Sequence, residues 1–177
     1  MASAKWTLDP THSEIQFKIR HLMITNVNGT FGKFDATVVT SDEDFDTAKI
    51  NFTAQVDSIT TNNEQRDGHL KSADFFESSK YPTLSFVSTK FEKTEGDEYN
   101  LYGDITIHGV TKNITFKVEH GGVIKDPWGN IRTGFTIDGK INRIDFGLVW
   151  NAATEAGGVV VGEEVKLHAS IEFVKAA

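Results

Sequence analysis

Apolar side chains recur at every second position over most of the chain, and this period of two constrains the fold more than any other feature of the sequence. Successive side chains of a strand point to opposite faces, so the alternation predicts strands with one buried and one wet face. Eight segments show the pattern: 15–19, 34–38, 50–56, 84–86, 101–107, 114–118, 135–141 and 165–173. We therefore predict an all-β fold with an antiparallel sheet.

Turn signals separate these segments. Asn28-Gly29, Glu95-Gly96-Asp97 and His108-Gly109 fall between alternating runs, and residues 126–130 (DPWGN) are typical of a tight turn. Ala156-Gly157-Gly158 predicts a loop before the last segment. Short connections favour up-and-down order, and eight such strands can close into an extended antiparallel barrel, which removes both sheet edges.

One segment, near residues 61–78, departs from the alternation. Thr61 and Glu64 have the spacing of a capping box, in which the hydroxyl accepts a hydrogen bond from the third helical N–H. Three apolar residues then follow at helical spacing: Leu70, Ala73 and Phe76. The pattern predicts a short helical segment that lays these side chains on the barrel.

Charge and composition narrow the function. The formal net charge is −7, with 18 Lys and Arg against 25 Asp and Glu, and no basic cluster stands out, which argues against nucleic acid as a partner. The absence of cysteine excludes disulfides, thiolate nucleophiles and cysteine-bound zinc. No apolar run approaches the ~20 residues that span a bilayer, so we expect no membrane insertion. We expect a single domain over residues 1–177.

The six histidines are scattered, without the spacing of a metal site, so neither a metal nor another cofactor is expected. Parity places His21 and His120 on the inward face of their strands, near strand ends. A buried histidine is usually a core residue bonded to a carbonyl or to water, and the alternative is contact with a ligand head group. Arg66 is the third candidate for such a contact.

Arg66, Asp67 and His69 lie within four positions, which suggests a hydrolase-type enzyme as one alternative. On a helix, however, Arg66 and His69 are neighbours while Asp67 points elsewhere. The sequence also lacks a G-x-S-x-G nucleophile elbow. We therefore predict no catalytic residues and expect these polar groups to hydrogen-bond the barrel rim.

Thirteen phenylalanines raise the question of what fills the interior. An eight-stranded barrel is either just filled by side chains or just able to hold one small ligand. Inward small residues leave space beside the rings and favour a cavity: Ala36, Ala54, Gly103, Gly139 and Ala169. The predicted cavity wall consists of inward apolar residues: Phe17, Ile19, Phe34, Phe52, Leu84, Phe86, Ile105, Ile107, Phe116, Phe135, Ile137, Leu167 and Ile171.

Four separated motifs, in order, resemble the YceI-like family. They are residues 6–17 (WTLDPTHSEIQF), 63–76 (NEQRDGHLKSADFF), 103–112 (GDITIHGVTK) and 145–148 (DFGL). The resemblance covers nearly the whole chain and implies an eight-stranded barrel like that of lipocalins, with a helical segment at the second motif. It further implies binding of a polyisoprenoid, such as an isoprenoid quinone or alcohol, and no catalysis.

The resemblance implies that this bacterial-type domain carries or stores its lipid, as a transport protein would. Many members are exported to the periplasm, whereas this chain begins without a signal segment, so we expect a cytoplasmic protein, or a periplasmic one if the chain is a processed form. The rival hypothesis is a ligand-free stress or interaction protein that acts through its surface, including Trp128. A homodimer is compatible with either hypothesis.

Overall fold

The computed structural model describes residues 3–151 and 160–176, so the predicted loop at Ala156-Gly157-Gly158 lies outside the described residues. All eight alternating segments are strands. Eleven antiparallel strands occur within the described ranges: β1 (Ser3–Leu8), β2 (Glu14–His21), β3 (Thr25–Phe31), β4 (Phe34–Ser41), β5 (Asp44–Gln55), β6 (Ile59–Thr60), β7 (Thr83–Glu95), β8 (Glu98–Ile107), β9 (Val110–Lys125), β10 (Ile131–Asn142) and β11 (Val161–Lys175).

The sheet closes on itself. In the part of the chain that the structure describes, eight strands form a ring in the order β1, β4, β5, β7, β8, β9, β10, β11 and back to β1. The closed eight-stranded antiparallel barrel predicted from the alternation is thus confirmed. Closure satisfies the backbone groups that an open sheet would leave unpaired at its edges.

The additional strands are continuations of ring strands past bends. Strands β1 and β2 both follow the same edge of β11, where Leu8 pairs with Phe173 and Glu14 pairs with Ser170. A 3-10 turn at Pro10–His12 separates them. In the same way β3 precedes β4 and pairs with β2, while β6 follows β5 and pairs with β3. These bends lengthen one wall of the barrel beyond the ring.

The predicted turns are confirmed at three of the four places. Residues 95–97, 108–109 and 126–130 connect consecutive strands, but Asn28-Gly29 lies inside β3. The first hairpin instead turns at Leu22 and Met23. Gly29 is needed in the strand because the Phe17 ring lies over it, and a Cβ there would come within 2.1 Å of that ring.

Two other inward glycines also lie under rings, which corrects the expectation that they leave room for a ligand. A Cβ on Gly103 would lie 2.3 Å from the Phe86 ring, and one on Gly139 would lie 2.3 Å from the Phe116 ring. Each glycine therefore allows a phenylalanine to lie flat on the sheet, a packing that also fixes strand register.

The helical segment contains α1 (Glu64–Lys71), followed by turns up to residue 80. Its N-cap is Asn63, whose Oδ1 accepts from the Arg66 N–H at 3.0 Å, so the predicted capping box was wrong. Phe75 is buried next to the helix, whereas Ala73 is exposed. No helix in the described ranges is long and apolar enough to cross a membrane.

Candidate ligand cavity

An apolar cavity of about 360 Å³ lies inside the barrel. Twelve of the thirteen predicted wall residues line it, all except Phe34. Phe34 begins β4 directly after the bend at Gly32 and Lys33, and its ring packs 6.2 Å from that of Phe52. It lines a second pocket instead, together with Pro10. The inward parity of these twelve residues agrees with the lining of the cavity, and their contact with a ligand stays a prediction.

The cavity is long relative to its volume. Its lining on β11 extends from Val161 to Phe173, a stretch of about 40 Å at ~3.3 Å per residue. With the tilt of roughly 35–45° that barrel strands have, this corresponds to about 30 Å along the barrel axis. Such a shape suits a slender apolar chain better than a bulky ring system.

One end of the cavity is closed by a group of side chains that we call the aromatic plug: Trp6, Phe45, Tyr99 and His120. Phe45 lies at its centre, with ring centroids 5.0 Å from Trp6 and 4.6 Å from His120. Trp6, Tyr99 and His120 each form a side-chain hydrogen bond. Trp6 Nε1 donates to Thr40 Oγ1 at 3.1 Å, and Tyr99 Oη donates to Asp46 Oδ1 at 3.2 Å.

His120 belongs to this plug and does not line the cavity, contrary to its candidacy for a head-group contact at the mouth. Its Nε2 lies 2.6 Å from Thr133 Oγ1, and its ring stacks on Phe135 at 4.8 Å. Burial lowers the pKa of His120, and the opposing charge of Asp97 offsets only part of that effect. Its contacts are those of a hydrogen-bonded core histidine, the first of the two alternatives considered from the sequence.

The opposite end, which we call the mouth, is formed where β2 ends and β11 begins, and polar residues reach the cavity there. His21 and Arg66, two of the three candidates for a head-group contact, line the mouth, and Arg20 and His69 join them. Their contact with a head group stays a prediction. The ring of Trp150 lies 4.7 Å from His69 and 5.5 Å from Phe75, so an aromatic group partly covers the mouth beside α1.

Arg143 is the cavity residue that the sequence analysis missed. It is buried, and its guanidinium donates to backbone carbonyls rather than to carboxylates: Gly162 O at 2.7 Å, Leu148 O at 2.5 Å, Trp150 O at 2.9 Å and Val161 O at 3.3 Å. Burial lowers the pKa of this guanidinium. The alternation could have predicted its inward orientation, because Arg143 continues the inward series of Ile137, Gly139 and Ile141.

Two of the three candidate enzyme residues are bonded to Thr61, and the third is bonded to Asp74. Arg66 donates from Nε to Thr61 Oγ1 and from Nη2 to Thr61 O, both at 2.7 Å. Asp67 is buried and accepts from the N–H and hydroxyl of Thr61, at 2.8 and 2.6 Å. His69 Nε2 instead lies 2.8 Å from Asp74 Oδ2. Arg66 and Asp67 thus anchor α1 to the residue that follows β6, and His69 pairs with a different residue.

One cluster on the exterior brings together Asp9, His12 and Glu172, whose ligating atoms lie within 4.8 Å of one another. Arg132 already neutralises these acids, with Nη1 at 2.7 Å from Asp9 Oδ2 and 2.9 Å from Glu172 Oε2. Hydrogen bonds from His12 and Thr11 hold the pKa of Asp9 well below its ordinary value, and Asp9 in turn raises the pKa of His12. The contacts describe an ion-pair network that fastens the bend between β1 and β2.

The fold and the site define a class of protein: a closed antiparallel β-barrel with an elongated apolar cavity, one closed end and one polar-rimmed mouth. The chain belongs to the YceI-like domain family, whose profile matches residues 6–173. The resemblance stated from the four motifs is thereby confirmed.

Relatives of known sequence and structure agree with this assignment. The chain is 42% identical to a UPF0312 protein of Staphylococcus aureus over 169 residues, which cover 95% of this chain and 96% of the relative. It is 33% identical to the crystallised YCEI protein of Campylobacter jejuni, with a TM-score of 0.77 and coverage of 90% and 91%. A polyisoprenoid binding domain from Saccharophagus degradans, 15% identical, shares the fold with a TM-score of 0.71 and coverage of 97% and 98%.

Proposed function

We propose that the protein binds one long, slender apolar lipid inside the barrel, of the polyisoprenoid or isoprenoid quinone class, and carries or stores it without catalysing a reaction. The observation that carries the proposal is the cavity of about 360 Å³, which lies within the range of ~300–1,000 Å³ typical of ligand pockets. Its polar side chains are concentrated at the mouth, so the apolar part of a ligand would meet an apolar wall.

The physical chemistry of burial supports this proposal. Each methylene removed from water contributes about 0.8 kcal/mol, so ten of them contribute about 8 kcal/mol. That gross figure corresponds to micromolar affinity before the costs of ordering the chain are subtracted. Since one isoprene unit holds five carbons, a chain of several units is held without any polar contact, and the mouth needs to accommodate only the head.

The rival hypotheses fit less well. A ligand-free interaction protein predicts a barrel filled by its own side chains, and the cavity argues against that. An enzyme built on Arg66, Asp67 and His69 requires these groups to act on one substrate, whereas Arg66 and Asp67 are engaged with Thr61. The name of the Saccharophagus degradans relative, a polyisoprenoid binding domain, supports a lipid as the class of ligand.

Mass spectrometry tests the proposal directly. The protein is purified without detergent, and its mass is compared under native and denaturing conditions, with organic extraction to identify any bound molecule. We expect a stoichiometric difference that matches an isoprenoid lipid. Equal masses, combined with no uptake of added isoprenoid quinone, contradict the proposal.

A matched pair of variants on β11 locates the ligand. Ala169 is buried and lines the cavity, while its neighbour Ser170 is exposed on the outer face. We expect Ala169→Phe to fill the space and abolish uptake of the lipid, and Ser170→Phe to bind it like the unmodified chain. Equal uptake by both variants places the ligand outside this cavity.

The cytoplasmic location stays a prediction, and cell fractionation tests it.

A further inference from the structure

The first hairpin turns at the mouth with three consecutive apolar residues exposed. Leu22, Met23 and Ile24 have exposed fractions of 41%, 50% and 74%. The turn is closed by the Ile24 N–H, which donates to His21 O at 3.2 Å. Single exposed apolar residues are common on protein surfaces, but a run of three at one loop tip is the kind of feature that marks a contact surface.

The backbone of this turn is strained for the residues it carries. Leu22 and Met23 have φ values of 52° and 59°, the left-handed values of a type I′ turn. Such turns favour Asn-Gly, because other side chains meet the backbone in this conformation. Strain of this kind is found where surrounding structure and function maintain it. Here it holds two large apolar side chains on the surface.

The hairpin tip adjoins the cavity mouth. His21, directly before the turn, lines the cavity, and the Leu22 N–H donates to the carbonyl of Val160, another lining residue, at 2.7 Å. The exposed Val149 precedes Trp150, which also lines the mouth. An apolar phase that surrounds the tip would therefore be continuous with the interior of the barrel.

The tip is locally basic. Residues 15–31 of the first hairpin contain Lys18 and Arg20 and no acidic residue, within a chain of net charge −7, while Glu14 lies at the end of β2 away from the tip. Arg20 donates to the carbonyl of Met23 at 2.7 Å, which places a cation at the tip. The neighbouring β11 does carry Glu163 and Glu164, and Lys140 pairs with Glu164 at 3.5 Å.

Acidic residues lie at both ends of the barrel, so the cation beside the tip is a local feature. At the closed end, the turn between β4 and β5 lies within residues 42–46, which contain four acids, and the turn between β7 and β8 lies within residues 95–98, which contain three. Near the mouth, α1 and the turns after it carry Glu64, Asp67, Asp74 and Glu77. The apolar run at the tip, with Arg20 beside it, is therefore the part of this end that suits a lipid surface.

We propose that the first hairpin docks the mouth on a lipid bilayer that contains anionic head groups. Leu22, Met23 and Ile24 insert at the boundary between head groups and acyl chains, and Arg20, beside the tip, contacts the lipid phosphates. Docking lets an apolar ligand pass between bilayer and cavity without crossing water. The inference rests on the proposed lipid function for its purpose, but the surface itself is testable without a ligand.

Flotation with vesicles provides the test, using phosphatidylcholine alone and phosphatidylcholine mixed with phosphatidylglycerol. The tip variant combines Leu22→Asn, Met23→Gly and Ile24→Thr, which supplies a favoured type I′ turn and so preserves the fold. The control variant combines Val123→Thr and Ile124→Thr in the closed-end hairpin, where Ile124 is 64% exposed. We expect the unmodified chain and the control to float with the anionic vesicles, and the tip variant to bind at least about tenfold more weakly.

Equal binding of the tip variant and the unmodified chain, or loss of binding in the control variant only, overturns the proposal. So does a concentration-dependent dimer that the tip variant abolishes in the absence of vesicles, because the tip would then serve a second copy of the chain. Ligand uptake from detergent micelles, followed by native mass spectrometry, separates the two proposals. Failure of uptake by all variants contradicts the lipid function, whereas normal uptake by a tip variant that no longer floats supports docking.

Discussion

The two ends of the barrel differ in how their side chains are satisfied. At the closed end, the aromatic plug is largely buried, and Trp6 Nε1, Tyr99 Oη and His120 Nε2 each have a side-chain partner. At the mouth, cations line the cavity and three apolar residues of the first hairpin remain exposed. One continuous sheet thus carries an end that contributes to stability and an end that is available for contact. Substitutions at the two ends should accordingly change different properties.

The largest effect is expected from the two tryptophans that represent these ends. Trp6→Ala removes a fully buried ring and should lower the free energy of unfolding by about 3–5 kcal/mol. Trp150→Ala removes a half-buried ring and should cost clearly less while speeding release of bound lipid. Urea unfolding and a lipid-release assay measure the two properties. Comparable losses of stability in both variants break the distinction between the ends.

Arg143 sharpens the comparison, because it is a buried structural group at the mouth. Arg143→Met removes the donor that the carbonyls of residues 148, 150 and 162 share, while Val161 O keeps its bond from Asn151 Nδ2, and it should lower the free energy of unfolding by about 2–4 kcal/mol. Arg66→Met, at an exposed position, is the control and should cost less than about 1.5 kcal/mol. Hydrogen exchange in the Arg143 variant should rise first near these carbonyls, and uniform exchange along the chain would contradict this.

A smaller effect is expected in the wall between the ends. Gly139→Ala forces a Cβ against the Phe116 ring and should cost about 1–3 kcal/mol in the free energy of unfolding. The cost should shrink when Phe116→Leu is present, which a double-mutant cycle in urea detects. Gly68→Ala is the control, since no atom lies within 4 Å of its new Cβ, and it should stabilise α1 by about 0.5–1 kcal/mol. Additive effects at residues 116 and 139 would refute the ring-over-glycine packing.

The smallest effect concerns pH at the closed end. Burial lowers the pKa of His120 in the folded state, so below the ordinary pKa of about 6.5 the unfolded state binds more protons than the folded state. Stability should therefore fall as the pH decreases through 6.5 and level off below the folded pKa. Urea midpoints for the unmodified chain and His120→Phe measure this, and the same decrease in both would assign it to other groups.

His12, whose pKa Asp9 raises, has the opposite effect on stability, because its contribution is present at low pH and lost as the pH rises through the folded pKa.

Sequence reasoning succeeded where one strand's own pattern carries the information. The period of two predicted all eight strand segments and the inward orientation of twelve of the thirteen wall residues, because a strand with one buried face must alternate. It failed at Asn28-Gly29, where the preferred turn dipeptide lies in a strand and Leu22-Met23 form the turn. Gly29 is required because the Phe17 ring on the neighbouring strand lies over it. Local turn preferences contain no information about such a contact between strands.

The capping error has the same origin. Thr61 has the spacing of a cap with Glu64, yet it bonds the side chains of Arg66 and Asp67, while Asn63 caps the helix. Arg143 was overlooked for a different reason. Burying a charged side chain costs free energy unless acceptors are available for its N–H groups, so an inward arginine is not expected from the pattern alone. Those acceptors come from residues up to 19 positions away, so their convergence was not visible in the local sequence.

By itself, the sequence determined the antiparallel strands, the closed barrel, the inward apolar wall and the family, since each of these follows from periodicity or from ordered motifs. Only the tertiary structure decided which rings fill space and which border the cavity, where the plug closes it, and which residues meet at the mouth. The physical reason is that alternation specifies the face of a strand but not the neighbour across it. Packing between strands sets the remaining volume, and that volume decides whether a barrel is solid or can hold a ligand.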